Sequence, residues 1–310
     1  MRLLFIVDPL PSLKPRKDSS IAMMRAAAAR GHAVEAVEAR RLAVRDGGTR
    51  ARCDILEVRD GDAWYRIAGT EDRPLTDFDA VLMRTDPPVD TDYLLATQLL
   101  GIAEAAGTRV LNRPAALRDF NEKLAILDFP QFTAPTLVSS DAARITDFLA
   151  VQGDVIVKPL TEMGGSGIFR LTPNDPNRNA IIETLTRHGR RAIMAQRHLP
   201  EIAAGDKRIL LIDGTIVPWA LARIPQPGET RGNLAAGGTA RTQPLSARDR
   251  EIAEAVAPWA RERGIFLAGL DVIGDCLTEI NVTSPTGFQE IATLAGHDVA
   301  ADFIAALERG

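Results

Sequence analysis

The chain is poor in the residues that cross-link a fold or hold a soft metal. Only two of its 310 residues are cysteine, Cys53 and Cys276, and no Cys-x-x-Cys pair occurs. This argues against a disulfide framework and against a thiolate zinc site. The four histidines, His32, His188, His198 and His297, are scattered without ligand spacing. No apolar run approaches the roughly 18–20 residues that cross a bilayer. The opening stretch meets Asp8 and Pro9 too early for a secretory signal. Basic residues number 37 against 41 acidic ones, a formal charge of −4, so nothing draws the chain in bulk to nucleic acid or an anionic membrane. Repeats and low-complexity tracts are absent. The Walker loop and the dinucleotide fingerprint are missing too, and a Gly-x-Ser-x-Gly elbow fails because Ile168 stands where its last glycine belongs. A soluble cytoplasmic protein is expected.

What is there is an average globular composition, 45% hydrophobic and 25% charged, on a length that suits two or three packed units. Residues 2–7 read as a buried strand. Asp18 and Ser19 are N-cap candidates for a helix over 22–30 that Gly31 stops. Strand signals at 32–37, 78–83 and 109–111, with a helix over 92–106 ended by Gly107, predict a parallel sheet with helical crossovers. From about residue 122 the texture changes to a small α+β unit: strands at 154–159, 168–171 and 192–196 and a helix at 179–187. From residue 199, hairpins dominate. Asp213-Gly214 is a strong turn signal between strands at 208–212 and 216–220. A helix over 247–263 precedes a second hairpin, 266–273 with 277–282. The expected units are 1–121, 122–198 and 199–310.

Three groups of residues carry chemistry. Gly164, Gly165, Ser166 and Gly167 lie between two strands, where glycines let backbone N–H groups approach phosphate oxygens, and Lys158 just upstream adds a point charge. Asp271, Glu279 and Asn281 offer hard oxygen ligands suited to magnesium shared with nucleotide phosphates. Residues 279 and 281 alternate onto one strand face. A two-residue turn at 274–275 would set Asp271 opposite Thr278, whereas a three-residue turn sets it opposite Glu279, so the metal reading predicts the longer turn. The third group is arginine: Arg208, Arg223 and Arg231, with Arg84 at the end of a parallel strand, the usual ligand edge of such a sheet. Arg84 also reads as a loop ion pair with Asp86.

These segments together resemble the prokaryotic glutathione synthetases. The resemblance is carried by Val7-Asp8-Pro9, Lys17-Asp18-Ser19-Ser20, Met83-Arg84-Thr85-Asp86-Pro87-Pro88, Asn121-Glu122-Lys123, Val157-Lys158-Pro159, Gly205-Asp206-Lys207-Arg208, Ala222-Arg223-Ile224-Pro225, Arg231-Gly232-Asn233 and residues 277–287, in the family's order over nearly the whole chain. It implies an α/β ATP-grasp fold behind an N-terminal parallel-sheet domain. It further implies ATP and magnesium, with manganese as an alternative, and ligation of γ-glutamylcysteine to glycine in a homotetramer. Carried over, Lys123 and Lys158 contact ATP phosphates, Gln196 and Leu199 line the adenine pocket, and Asp206 meets the ribose. Asp271, Glu279 and Asn281 hold magnesium. Arg84, Arg208, Arg223, Asn281 and Ser284 face the peptide or the transferring phosphate, and loop 224–239 closes over the site. Thr161-Glu162, Thr239 and Gln289 depart from the family pattern, the last two where arginines are usual, with Arg241 as a candidate replacement for the first. A related ligase with a different acyl or amine substrate, and a silent nucleotide-binding protein, are the alternatives.

Overall fold

The computed structural model describes residues 1–226, 228–229, 232 and 237–310. The chain opens with β1 (Arg2–Ile6), α1 (Ser19–Ala29) and β2 (Ala33–Val37). Next come β3 (Leu42–Arg45), β4 (Gly48–Val58), β5 (Tyr65–Pro74), β6 (Ala80–Met83), α2 (Thr91–Ala105), β7 (Val110–Leu111) and α3 (Pro114–Asp119). The α1 start follows from Asp18, whose carboxylate accepts from Ser20 N and Ile21 N. The turn after α1 uses the left-handed conformation of Gly31 at φ 78°. β2, β1, β6 and β7 run parallel in that order, as the strand–helix alternation implied.

The rest of this first sheet differs from the expectation. β3, β4 and β5 join it antiparallel, making a mixed sheet. β5 is largely solvent-facing, with Arg66, Glu71 and Asp72 exposed, and in β4 the buried Thr49, Ala51, Cys53 and Leu56 are interrupted by charged residues, so neither has the apolar run that marks a strand buried on both faces.

A second, four-stranded antiparallel sheet follows, with β8 (Thr136–Ser139), α4 (Ala142–Gln152), β9 (Val155–Pro159), β10 (Phe169–Leu171), α5 (Arg178–Leu185) and β11 (Ile193–Arg197). Ile145, Leu149, Val155, Val157, Leu171, Ile182, Ile193 and Ala195 give it a core of its own. The third sheet has five strands in the order β14-β13-β12-β15-β16. Its elements are β12 (Asp206–Ile212), β13 (Thr215–Ile224), β14 (Thr239–Pro244), α6 (Ala247–Glu262), β15 (Leu267–Ile273) and β16 (Cys276–Asn281), followed by α7 (Phe288–Ala295) and α8 (Val299–Arg309). Asp213 and Gly214 both take positive φ, 47° and 74°, as a two-residue turn of type I′ requires.

The first and third sheets share one core. Leu3, Phe5, Ile21 and Met24 pack in the same cluster as Leu210, Leu221, Phe303 and Leu307. The opposite face of the third sheet, with Ile209, Leu211, Leu270, Val272 and Ile280, packs on Ile252 and Val256 of α6. Asn112, just past β7, stitches the two sheets together. Its Nδ2 donates to Leu267 O at 2.8 Å and Val282 O at 2.7 Å, and its Oδ1 accepts from Leu267 N at 2.8 Å. No helix among the described residues is long and apolar enough to cross a membrane.

Candidate active site

The register of the third sheet puts charges in a row. Directly opposed residues share a face. Arg208 of β12 pairs with Asp271 of β15, which pairs with Glu279 of β16. Two residues along β12, on the same face, Asp206 pairs with Arg223 of β13. Asp271 does face Glu279, but not through a long turn. Ile273 pairs with Cys276 across a two-residue turn, and Val272 with Leu277, so Thr278 is an extra residue in the ladder. This bulge, held by Thr278 Oγ1 donating to Asp271 O at 3.0 Å, supplies the one-residue offset.

The row is tightly paired. Arg208 grips Asp271 through two bonds, Nε–Oδ1 at 2.5 Å and a second terminal nitrogen to Oδ2 at 3.0 Å. Arg223 lies 2.9 Å from Asp271 Oδ2 and also binds Asp206. Burial works to raise the Asp271 pKa, but Arg208 and Arg223 outweigh it and hold the carboxyl below the usual carboxylate range. Burial also acts on Arg223, and there Asp206 and Asp271 push its pKa up. Asp206 is raised, chiefly by burial, and its Oδ1 is buried without a hydrogen-bond partner. Arg208 needs room to lie across β15. A Cβ on Gly269 would stand 2.9 Å from Arg208 Cδ and 2.9 Å from Pro285 Cβ.

Two lysines arrive from outside this sheet. Lys158 of β9 is buried, with Nζ 3.3 Å from Thr278 O and 3.5 Å from Glu279 Oε1. Burial lowers its pKa against the pull of Glu279. Lys123 is buried as well, with Nζ donating to Glu162 O at 2.7 Å and lying 3.6 Å from Glu279 Oε1. Between them they hold the Glu279 pKa down although its burial acts to raise it. Lys123, Lys158, Arg208 and Arg223 thus face Asp206, Asp271 and Glu279, and the Glu122 carboxylate is close enough to Glu279 to feel its charge, so the cluster is near charge balance. Its four cations still offer an anionic ligand converging charge-assisted donors.

Two cavities meet at this cluster. The first, about 110 Å³, lies between the second and third sheets. Ile156, Ile168, Leu199 and Ile273 give it apolar walls, and Lys158, Gly164, Gly165, Ser166, Gln196 and Asp206 also line it. The second, about 500 Å³, opens toward the loops of the first sheet and is lined by Arg208, Arg223, Asn281 and Ser284. Lys123, Met163, Gly164, Asp271 and Glu279 line both, so the cavities adjoin at the cluster.

Most expected residues therefore gather here, with three exceptions. Gly167 lines neither cavity. At φ 69° it packs on Pro159, whose Cγ would be 2.8 Å from a Cβ there. Arg84 is buried as a strut, Nε to Ser20 Oγ at 3.1 Å and a terminal nitrogen to Pro285 O at 3.0 Å. It makes no ion pair with Asp86 among the described residues. Burial lowers its pKa. Arg231, and with it much of loop 224–239, lies outside the described residues. Arg241 is exposed, bonds Gln243 on its own strand and lines neither cavity.

Sequence reasoning gave Glu122 no role. Its buried carboxylate accepts from Val282 N at 2.9 Å, Thr283 N at 3.0 Å and Thr283 Oγ1 at 2.8 Å, and it borders the second cavity. Burial raises its pKa. A carboxylate next to Lys123 was the available signal.

Residues 1–118 match the model of the prokaryotic glutathione synthetase N-terminal domain, and residues 122–296 that of the family's ATP-grasp domain. The glutathione synthetase of Nitrosomonas europaea is 56% identical over 313 residues, covering 100% of this chain and 98% of that one. That of Pseudomonas aeruginosa is 52% identical over 292 residues, covering 94% and 92%. Among solved structures, D-cycloserine synthetase DcsG superposes with a TM-score of 0.69 at 16% identity, covering 100% of this chain and 99% of that one. The macrocyclase MdnC of Microcystis aeruginosa, bound with its precursor peptide, gives 0.65 at 16% identity, covering 100% of each chain. At that identity the likeness is one of fold. Both family models and full-length relatives above half identity lead to one statement: the chain belongs to the prokaryotic glutathione synthetase family and is an ATP-dependent ligase of ATP-grasp fold.

Proposed function

We infer that the chain joins γ-glutamylcysteine to glycine at the expense of ATP, releasing glutathione, ADP and phosphate. The observation that carries this reading is the convergence of Lys123, Lys158, Arg208 and Arg223 at the seam between a narrow apolar-walled cavity and a wider polar one. Nucleotide in the first and peptide in the second would bring the γ-phosphate to the peptide's carboxylate.

The first cavity fits a nucleotide part by part. Apolar walls with Leu199 and the Gln196 strand suit a purine ring, and the unpartnered Oδ1 of Asp206 suits a ribose hydroxyl. Lys123, Lys158 and the backbone of Gly164, Gly165 and Ser166 suit the phosphates. Asp271, Glu279 and Asn281 fit a magnesium ion by donor chemistry, two carboxylates and an amide. Asn281 Nδ2 donates to Gly269 O at 3.1 Å, which fixes the amide and leaves Oδ1 as its acceptor end. When bound, magnesium neutralises charge on the transferring phosphoryl group.

A carboxylate is a poor electrophile. Its oxygen attacks the γ-phosphorus, ADP leaves, and the resulting acyl phosphate is open to the glycine amine. The amine nitrogen forms the new C–N bond, phosphate leaves with the C–O pair, and the ammonium's proton passes to the medium. Arg208 and Arg223 spread the negative charge of the in-flight phosphoryl group. Lys158, with Nζ held by Thr278 O and the Glu279 carboxylate, needs little reorganisation to do the same. An acyl phosphate hydrolyses readily, so loop 224–239 serves by excluding water. In this reading units 122–198 and 199–310 hold ATP between them, 1–121 contributes to the peptide side, and the assembly is a cytoplasmic homotetramer.

The test is product mass and phosphate release with ATP, magnesium, γ-glutamylcysteine and glycine. One phosphate per glutathione is expected. Nucleotide binding without product would overturn the substrate assignment and favour another carboxylate–amine pair.

A further inference from the structure

β16 is the outermost strand of the third sheet, and among the described residues β15 is its one ladder partner. N–H groups two residues apart in a strand point to the same side. Those of Ile280 and Val282, on either side of Asn281, point off the open edge. An unpaired donor there needs a partner from elsewhere. One residue meets both. Glu122 O accepts from Ile280 N at 2.9 Å, and Glu122 Oε1 accepts from Val282 N at 2.9 Å. That same oxygen takes Thr283 N at 3.0 Å and Thr283 Oγ1 at 2.8 Å. Asn112 Nδ2 donates to Val282 O at 2.7 Å. Asn281 is therefore fixed through both of its neighbours by residues outside its own sheet.

The residues beside Glu122 are tied elsewhere. Asn121 Oδ1 accepts from Lys123 N at 3.1 Å and Leu124 N at 3.2 Å, while its Nδ2 donates to Leu160 O at 2.8 Å. Lys123 Nζ donates to Glu162 O at 2.7 Å. Lys123 thus has supports of its own, apart from the Glu122 carboxylate. A carboxylate at this place carries an electrostatic cost, because the charge of Glu279 bears on it. An acid present only for its charge would be out of place beside a site that receives anions. Three donors converging on Oε1 account for it by reach, since the oxygen stands where β16 lacks a neighbouring strand.

We propose that Glu122 is a positioning residue for the magnesium site and acts through Asn281. By closing the edge of β16 on both sides of that residue, it fixes where the Asn281 amide oxygen stands relative to Asp271 and Glu279. The carboxylate serves by its reach and takes no part as ligand or acid. This assignment rests on the magnesium reading above.

The experiment compares wild type with Glu122→Gln and Glu122→Asp. Glutamine keeps the length and the acceptor oxygen but drops the charge. Aspartate keeps the charge but withdraws the oxygens by one C–C bond, about 1.5 Å. Mn2+ affinity is read by electron paramagnetic resonance with saturating adenylyl imidodiphosphate, which needs no turnover, and ADP affinity in EDTA by calorimetry. Glu122→Asp should weaken Mn2+ binding on the order of ten- to a hundredfold, the usual weight of a residue that orients a metal ligand. Glu122→Gln should weaken it no more than about fivefold, the gap between a charged and a neutral acceptor. ADP affinity without metal should stay within about twofold in both, because Lys123 keeps its independent supports. In an Asn281→Ala background Glu122→Asp should add little further loss, since the route runs through that amide.

A reversed order, with glutamine the more damaging, would assign the effect to charge and overturn the proposal. Equal loss in both variants overturns it too, as does an ADP affinity that falls in step with that for Mn2+. Should Glu122→Asp fail to fold, Thr283→Val takes its place, removing one donor from Oε1 at similar size. A Mn2+ affinity weakened about two- to fivefold is then expected, and an unchanged one overturns the proposal. If wild type binds no Mn2+ beside the analogue, the magnesium reading falls and the role of Glu122 with it. If wild type binds Mn2+ but the variants break the expected order, only the role of Glu122 falls.

Discussion

At the scale of single residues, Asp271 is the pivot of the site. Both its oxygens are engaged by arginines, and it stands opposite Glu279 in the ladder. Asp271→Asn keeps the shape and removes the charge, leaving Arg208 buried with a neutral partner while Arg223 keeps Asp206. We expect a loss of about 3–5 kcal/mol, as for other broken buried pairs, read as a fall in urea midpoint, together with a higher magnesium requirement. An unchanged midpoint would mean that the two guanidiniums find other partners. The residue types of this cluster were legible in the sequence, because Glu279 and Asn281 are carboxylate and amide inside an otherwise apolar strand. The partner of Glu279 was not. Counting across a two-residue turn puts Asp271 on the wrong face, and nothing local announces that Thr278 bulges. Arg84 differs, since a strand-end arginine reads as a ligand residue, and here two of its nitrogens bond Ser20 Oγ and Pro285 O.

At the scale of elements, the strands and helices that bury apolar runs were legible, and those that do not were missed. β1 and β6 hold continuous apolar stretches, β9 and β15 are apolar apart from Lys158 and Asp271, and all four were placed within a residue or two. β5 escaped because it is largely solvent-facing, and β4 because its buried positions are interrupted by Arg50, Arg52, Asp54 and Glu57, while α7 and α8 were missed although Gly296 stops the one and Asp298 caps the other. Asn112 is the element-scale joint, a side chain after β7 that donates to β15 and to the end of β16. Asn112→Ala would leave the Leu267 N–H and two carbonyls in the interior without that partner. A destabilisation of roughly 3 kcal/mol is expected, with the midpoint measured by circular dichroism in urea. A loss below half that value would mean that water enters and replaces the amide.

At the scale of the whole molecule, α1 and α8 lie side by side, joined by Glu308 to Arg30 and His32. The Arg30 hydrogen bond is the main reason that the Glu308 pKa is pulled from 4.5 down to about 2, with His32 adding to it. A depressed carboxylate contributes stability that is fully present above its unfolded value and is lost as pH falls toward the folded one. Amide exchange in α8 should therefore accelerate between pH 4.5 and 2 in wild type beyond the intrinsic trend. The gap between wild type and Glu308→Gln should close over the same interval, and a gap independent of pH would sink this account. The same pairing bears on how the chain reaches its folded state. Arg30 and Glu308 are 278 residues apart, roughly 14–56 s of ribosome time at common elongation rates. Through that interval Ile21, Met24 and Ala27 have no Phe303 or Leu307 to cover them. The helix α1 must wait for α8, so the core of the N-terminal sheet cannot close until Phe303 and Leu307 have been made.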